Sequence, residues 1–147
     1  MGELKINKMK YLALCTLIFL SSCTKLFDDY HPIESDINFS IEWDNTDETY
    51  YLKCYTQALY SHSGWGIIYD KNVLGNKTTI NFKRIKDGGI GLCIIFPASA
   101  WIELKIEENK EYDLVFKLNG QKSKFKYSLT DSMTVEEVQA GNVYLQE

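Results

Sequence analysis

The chain lacks most of the features that would declare an activity. Its 147 residues include two histidines, His31 and His62, and no H-E-x-x-H, nucleophile elbow G-x-S-x-G, phosphate-binding glycine loop or C-x-x-C. The histidines stand in no ligand-like spacing with the four cysteines, so no metal site can be assembled and no cofactor is expected. Ser61 and Ser63 flank His62, but neighbours in a strand point to opposite faces, and the stretch reads as a turn with no catalytic pair. Asp44, Asp47 and Glu48 lack the spacing and glycine of a calcium loop, which leaves a solvated turn. Cations are also short: 16 Lys and Arg stand against 20 Asp and Glu, net charge −4. A nucleic-acid partner requires clustered cations, and there is no basic stripe to supply them. No run is long enough to span a membrane as a helix. Tyr11–Leu20, ten residues, rises only about 15 Å, half of a hydrocarbon core.

What is present is the material for a folded domain. Apolar residues make up 45% of the chain, enough for a core. Aromatics reach 14%, with ten tyrosines, a bias toward strands and binding surfaces. The length suits one domain plus a removable segment.

The removable segment is at the front. Lys5, Lys8 and Lys10 precede Tyr11–Leu20, and Ser21, Ser22 and Cys23 follow. A cationic region, a short apolar region and small residues before a cleavage point describe an export signal; Met9 would serve as a start as well as Met1 does. Leu20-Ser21-Ser22-Cys23 resembles the lipobox of bacterial lipoproteins, the signal peptidase II type. The resemblance implies cleavage before Cys23, diacylglycerol on its thiol and acylation of the new amino terminus. Several acyl chains make such attachment nearly permanent. It also implies a place in the cell envelope, lipid-anchored at the outer membrane and facing the periplasm or the surface. Without residues 1–22 the chain keeps 13 basic and 19 acidic groups, net −6. Residues 23–36 carry Lys25, Asp28, Asp29, Pro32, Glu34 and Asp36 without alternation, and read as the lipidated terminus and tether.

From residue 37 to 147 the dominant period is two. Ile37, Phe39, Ile41 and Trp43 share one face of a strand, with Asn38, Ser40 and Glu42 on the other. Further strands are expected at 49–60, 65–71, 78–85, 90–96 and 101–107. Asp87-Gly88-Gly89 would form a hairpin back into 90–96, and Pro97 would end that run; "PASAW" would also suit a short helical turn. The clearest hairpin surrounds Asn119-Gly120. Counting outward pairs Phe116 with Ser123, Leu114 with Phe125 and Tyr112 with Tyr127, and gathers Lys117, Lys122, Lys124 and Lys126 on a face that must meet water. Thr134-x-x-Glu137 would suit a helix cap, but a short strand near 133–135 and a closing strand at 142–146 fit better. The expected fold is all-β, an antiparallel β-sandwich of about seven strands, immunoglobulin-like, with a small β-barrel as the alternative closure.

Cys15 belongs to the signal and Cys23 to the lipid site, leaving Cys54 and Cys93 in strand-like runs. In an oxidising compartment these two are a candidate disulfide, closing a loop of about 40 residues that would add roughly 3–4 kcal/mol. For binding, Tyr51 and Tyr55 share a strand face, and with Trp65 they form a candidate exposed row suited to flat faces of glycans or to an envelope protein. The expected function is therefore a non-enzymatic, membrane-anchored binding module. The alternative is an inhibitor or immunity-type lipoprotein that presents an acidic face to a basic hydrolase in the periplasm.

Overall fold

The computed structural model describes residues 30–89 and 94–146; strands take 68% of them and none is helical. The strands are β1 (Tyr30–His31), β2 (Ile37–Asp44), β3 (Thr49–Tyr60), β4 (Gly66–Leu74), β5 (Lys77–Lys86), β6 (Phe96–Leu104), β7 (Glu111–Leu118), β8 (Gln121–Leu129), β9 (Met133–Gln139) and β10 (Val143–Leu145). All lie in one sheet with the path β10-β2-β3-β6-β4-β5-β7-β8-β9, and β1 adds to β5. Three neighbouring pairs are parallel: β10 with β2, β4 with β6, and β5 with β7.

The two ends of the path meet, so the sheet nearly closes into a barrel. The chain leaves β9 beside β8 and enters β10 beside β2 through residues 140–142. The Val143 N–H donates to Ser123 Oγ at 3.1 Å, and the Ile37 N–H to the Asn142 carbonyl at 3.1 Å. Gly141 lies so close to β8 that a Cβ there would stand 2.7 Å from the Lys122 carbonyl oxygen. This closure replaces the expected antiparallel sandwich with its barrel alternative. A sandwich needs two sheets, whereas here inward side chains of opposite walls meet within one. Phe39 of β2 packs on Phe116 of β7 and Phe125 of β8, with ring centroids 4.9 and 4.8 Å apart.

The Asn119-Gly120 hairpin has the expected register at every pair from Tyr112↔Tyr127 to Lys117↔Lys122. Asn119 and Gly120 both take positive φ, 50° and 80°, as a type I′ turn requires. Lys117, Lys122 and Lys124 are exposed and Lys126 is half-buried, ion-paired to Glu111 at 2.6 Å.

Other expectations need correction. Pro97 lies inside β6, and "PASAW" is strand throughout. Proline is tolerated there because the β3–β6 ladder shifts register between Tyr55 and Leu59. The buried Thr56 hydroxyl fills the gap, accepting from the Ala98 N–H and donating to the Ala58 carbonyl, both at 2.9 Å. The hairpin expected from β5 back through 90–96 falls largely outside the described residues, and its described last residue, Phe96, is not beside β5. Phe96 pairs with Tyr60 of β3, while β5 is flanked by β4 and β7; residues 90–93 lie outside the described residues. The sheet also begins before residue 37, for Tyr30 pairs with Lys86 and Ile33 is buried in the core.

These pairings give the barrel two distinct ends. Lys86 pairs with both Tyr30 and Gly66, and Phe96 and Tyr60 pair at the same end. Tyr30, the first described residue, pairs beyond His31 toward that end, which is the N-terminal end. The turns 45–48, 75–76, 105–110 and 130–132 lie at the opposite end.

Candidate binding face

Strands β2, β3 and β6 turn Leu52, Cys54, Phe39 and Ile102 inward, all buried. Period-two alternation therefore sends the intervening residues outward. The register sets them in three cross-strand rows: Glu42–Tyr51–Glu103, Ser40–Lys53–Trp101 and Asn38–Tyr55–Ser99. Lys53 is at the centre. Its ammonium pairs with Glu42 at 2.7 Å and lies 4.4 Å from the Trp101 ring centroid. The Trp101 ring is 54% exposed, with Tyr51 6.4 Å away. The Tyr51 hydroxyl donates to Asp47 at 2.9 Å and Gln57 donates to Asn38 at 3.1 Å, which fixes the rim. A shallow open groove of about 550 Å³ continues past Tyr55 along Asn38, Gln57, Leu59 and Pro97.

The electrostatics follow from these contacts. The Lys53 ammonium, helped by the Ser40 hydroxyl, lowers the Glu42 pKa, and Glu42 in turn raises that of Lys53. Asp47 accepts the Tyr51 proton and so raises the phenol's pKa. The result is a flat aromatic surface with fixed donors and acceptors around it.

Of the three residues expected to form this row, Tyr51 and Tyr55 share the face, half-buried, and Trp65 does not. Trp65 packs near the N-terminal end, stacked on Tyr60 at 4.9 Å and beside His31 and His62. Its indole N–H is buried with no hydrogen-bond partner among the described residues. The aromatic that completes the face is Trp101. Its signal was in the alternation of Trp101, Ile102, Glu103 and Leu104, which turns the ring outward once Ile102 and Leu104 are taken as core.

Around His62 the loops at 61–65 and 87–89 close on one another. His62 Nδ1 meets the Ser63 carbonyl at 2.9 Å and Nε2 meets Asp87 at 3.3 Å, while the Gly89 N–H donates to the same carboxylate. Gly88 lies against the Gly64 backbone, where a Cβ would clash with the carbonyl. With acceptors at both nitrogens the ring offers no free base to a nucleophile, and its pKa is raised, first by the Ser63 carbonyl and then by Asp87. The turn at Asp44–Glu48 folds on itself: Asp44 accepts from the Thr46 and Asp47 N–H groups, which lowers its pKa. Asp47 and Glu48 are exposed.

Cys54 is buried and bonded to no other cysteine among the described residues, and burial pushes its thiol pKa far up. Cys93, its expected partner, lies outside the described residues, as does Cys23. No three metal-ligating side chains converge among the described residues, and no helix among them is long and apolar enough to cross a membrane. Compared with known protein families, curated proteins and solved structures, the chain matches none.

Proposed function

We propose that the chain is a lipid-anchored protein of the bacterial cell envelope, held through Cys23, whose barrel is a non-enzymatic binding module for a glycan or an envelope protein. The observation that carries this reading is the outward face of β2, β3 and β6. There the exposed Trp101 ring lies beside Tyr51 and Lys53 within a rim of fixed polar groups. Rings of this kind suit the flat, partly apolar faces of sugars, and the surrounding amides and carboxylates suit their hydroxyls. A second reading, an inhibitor of a basic hydrolase, draws on the exposed acidic turn at Asp47 and Glu48, at the barrel end away from the tether.

Glycan-array binding and capture from envelope extract test both, with the wild type beside Trp101→Ala. Loss of the ring should weaken ligand binding about tenfold or more, the scale of an interface hot spot, without changing the melting temperature. Silence on glycans would remove the sugar reading. Capture of a basic hydrolase that ignores Trp101→Ala but fails with Asp47→Asn/Glu48→Gln would favour the inhibitor.

A further inference from the structure

The N-terminal end of the barrel exposes a group of large apolar side chains. Leu59 is 62% exposed, Ile94 44%, Ile95 67% and Phe96 49%. They share one rim of the barrel: Phe96 pairs with Tyr60 at the end of the β3–β6 ladder, Ile94 and Ile95 directly precede it in the chain, and Leu59, opposite Pro97, is one step back on the outer face. Farther round the same end, across β4 and β5, Tyr30 carries the Arg84 guanidinium 3.8 Å from its ring centroid and the Lys86 ammonium at 5.7 Å. Apolar residues beyond a girdle of tyrosine, arginine and lysine are the composition of a membrane interface. The ring sits at headgroup depth there, and the cations snorkel to phosphate. Among the acids nearby, Asp87 is tied to His62 and Glu34 is exposed.

We infer that this end is seated on the lipid surface, a second membrane contact in addition to the acyl chains. The inference rests on the proposed anchor at Cys23, and tether length selects the occupant. From Cys23 to Tyr30 there are seven residue steps, at most about 25 Å even fully stretched and nearer 15 Å as a flexible chain. The twelve residues of β3 span about 40 Å. The opposite end is therefore out of reach of the bilayer, whereas the N-terminal end, which carries these apolar side chains, is held against it. The seat fixes the orientation: the opposite end, with Asp47 and Glu48, points away from the membrane, and the Trp101 face stands on the barrel wall.

The test uses the full chain purified from membranes and reconstituted into phosphatidylethanolamine–phosphatidylglycerol vesicles with brominated acyl chains. Ile95→Trp and, at the opposite end, Leu74→Trp each add one tryptophan at an exposed site. Bromine should quench the fluorescence added at position 95 at least twofold more than that added at position 74. Equal quenching in a chain that is acylated and floats with the vesicles overturns the seat and leaves the anchor standing. A dimer cross-linked through residue 95 would overturn it by naming a second copy as the occupant. A chain without acyl label at Cys23 that nevertheless floats and shows the stronger quenching at 95 removes the anchor and supports the seat. One that neither carries label nor floats removes both.

Discussion

His62 is held by acceptors at both ring nitrogens, the Ser63 carbonyl and the Asp87 carboxylate. A neutral imidazole can donate from only one nitrogen, so the fold favours the imidazolium, and the folded pKa lies above the ordinary 6.5. The stability this adds is complete below pH 6.5, where folded and unfolded chains are both protonated. It is lost as pH rises through the raised folded value. Thermal melts from pH 5.5 to 8.5 should show the wild type exceeding His62→Gln by a margin that shrinks toward the alkaline end. A constant margin would mean the ring acts by packing alone. At this scale the sequence is legible where a side chain's neighbour is local. Alternation puts Tyr51, Tyr55 and Trp101 outward, and turn chemistry closes Asp44 on its own backbone. It is silent where the neighbour comes from another element. Nothing in "YSHSGWG" reveals Asp87, or that Trp65 turns toward Tyr60 and His31 and away from Tyr51.

At the scale of elements, the contrast is between Asn119-Gly120 and Gly141. The first dictates its own pairing, since a two-residue turn with positive φ leaves one register, and β7–β8 follows it. The parallel contacts of β5 with β7 and β10 with β2 join segments far apart in the chain, and no turn encodes them. That is why Asp87-Gly88-Gly89 suggested a return strand beside β5, whereas Phe96, the last residue of that run, pairs with Tyr60 of β3. Pro97 misled for a related reason: the Thr56 hydroxyl that accommodates it is 41 residues away in sequence. Gly141 is the point where the sheet ends meet, with no room for a Cβ between its Cα and the Lys122 carbonyl. Gly141→Ala must push β10 from β8 and lose the Val143–Ser123 bond. A cost of about 1–3 kcal/mol is expected, measured by urea unfolding. Gly66→Ala, where a Cβ meets only the Ser99 carbonyl oxygen at an ordinary 4.0 Å and φ is not positive, controls for glycine loss and should change stability by no more than about 1 kcal/mol.

The molecule as a whole depends on Phe116. Its ring touches Phe39 at 4.9 Å, Phe82 at 5.7 Å and Phe125 at 5.8 Å, joining β2, β5 and β8 through the barrel interior. Hydrogen bonds run around the wall, but they leave weak points: β4 and β6 share one ladder pair, Gly66↔Ser99, and the β9–β10 junction is a three-residue crossing. A sheet with two thin seams would open at them unless its interior held both halves together. Tryptophan fluorescence is weighted toward one half, for Trp43 and Trp101 lie on β2 and β6, while Trp65 precedes β4 at the seam and stacks on Tyr60 of β3; far-UV circular dichroism reports the whole sheet. If the aromatic interior couples the halves, the two signals must lose structure at one urea midpoint. Phe116→Ala should lower stability by about 3–5 kcal/mol and move both midpoints together. Tryptophan fluorescence changing at lower urea than the strand signal, in the wild type or the variant, would mean that the seams divide the barrel into two independently folding parts. In that case Phe116 would be an ordinary core residue of the second part.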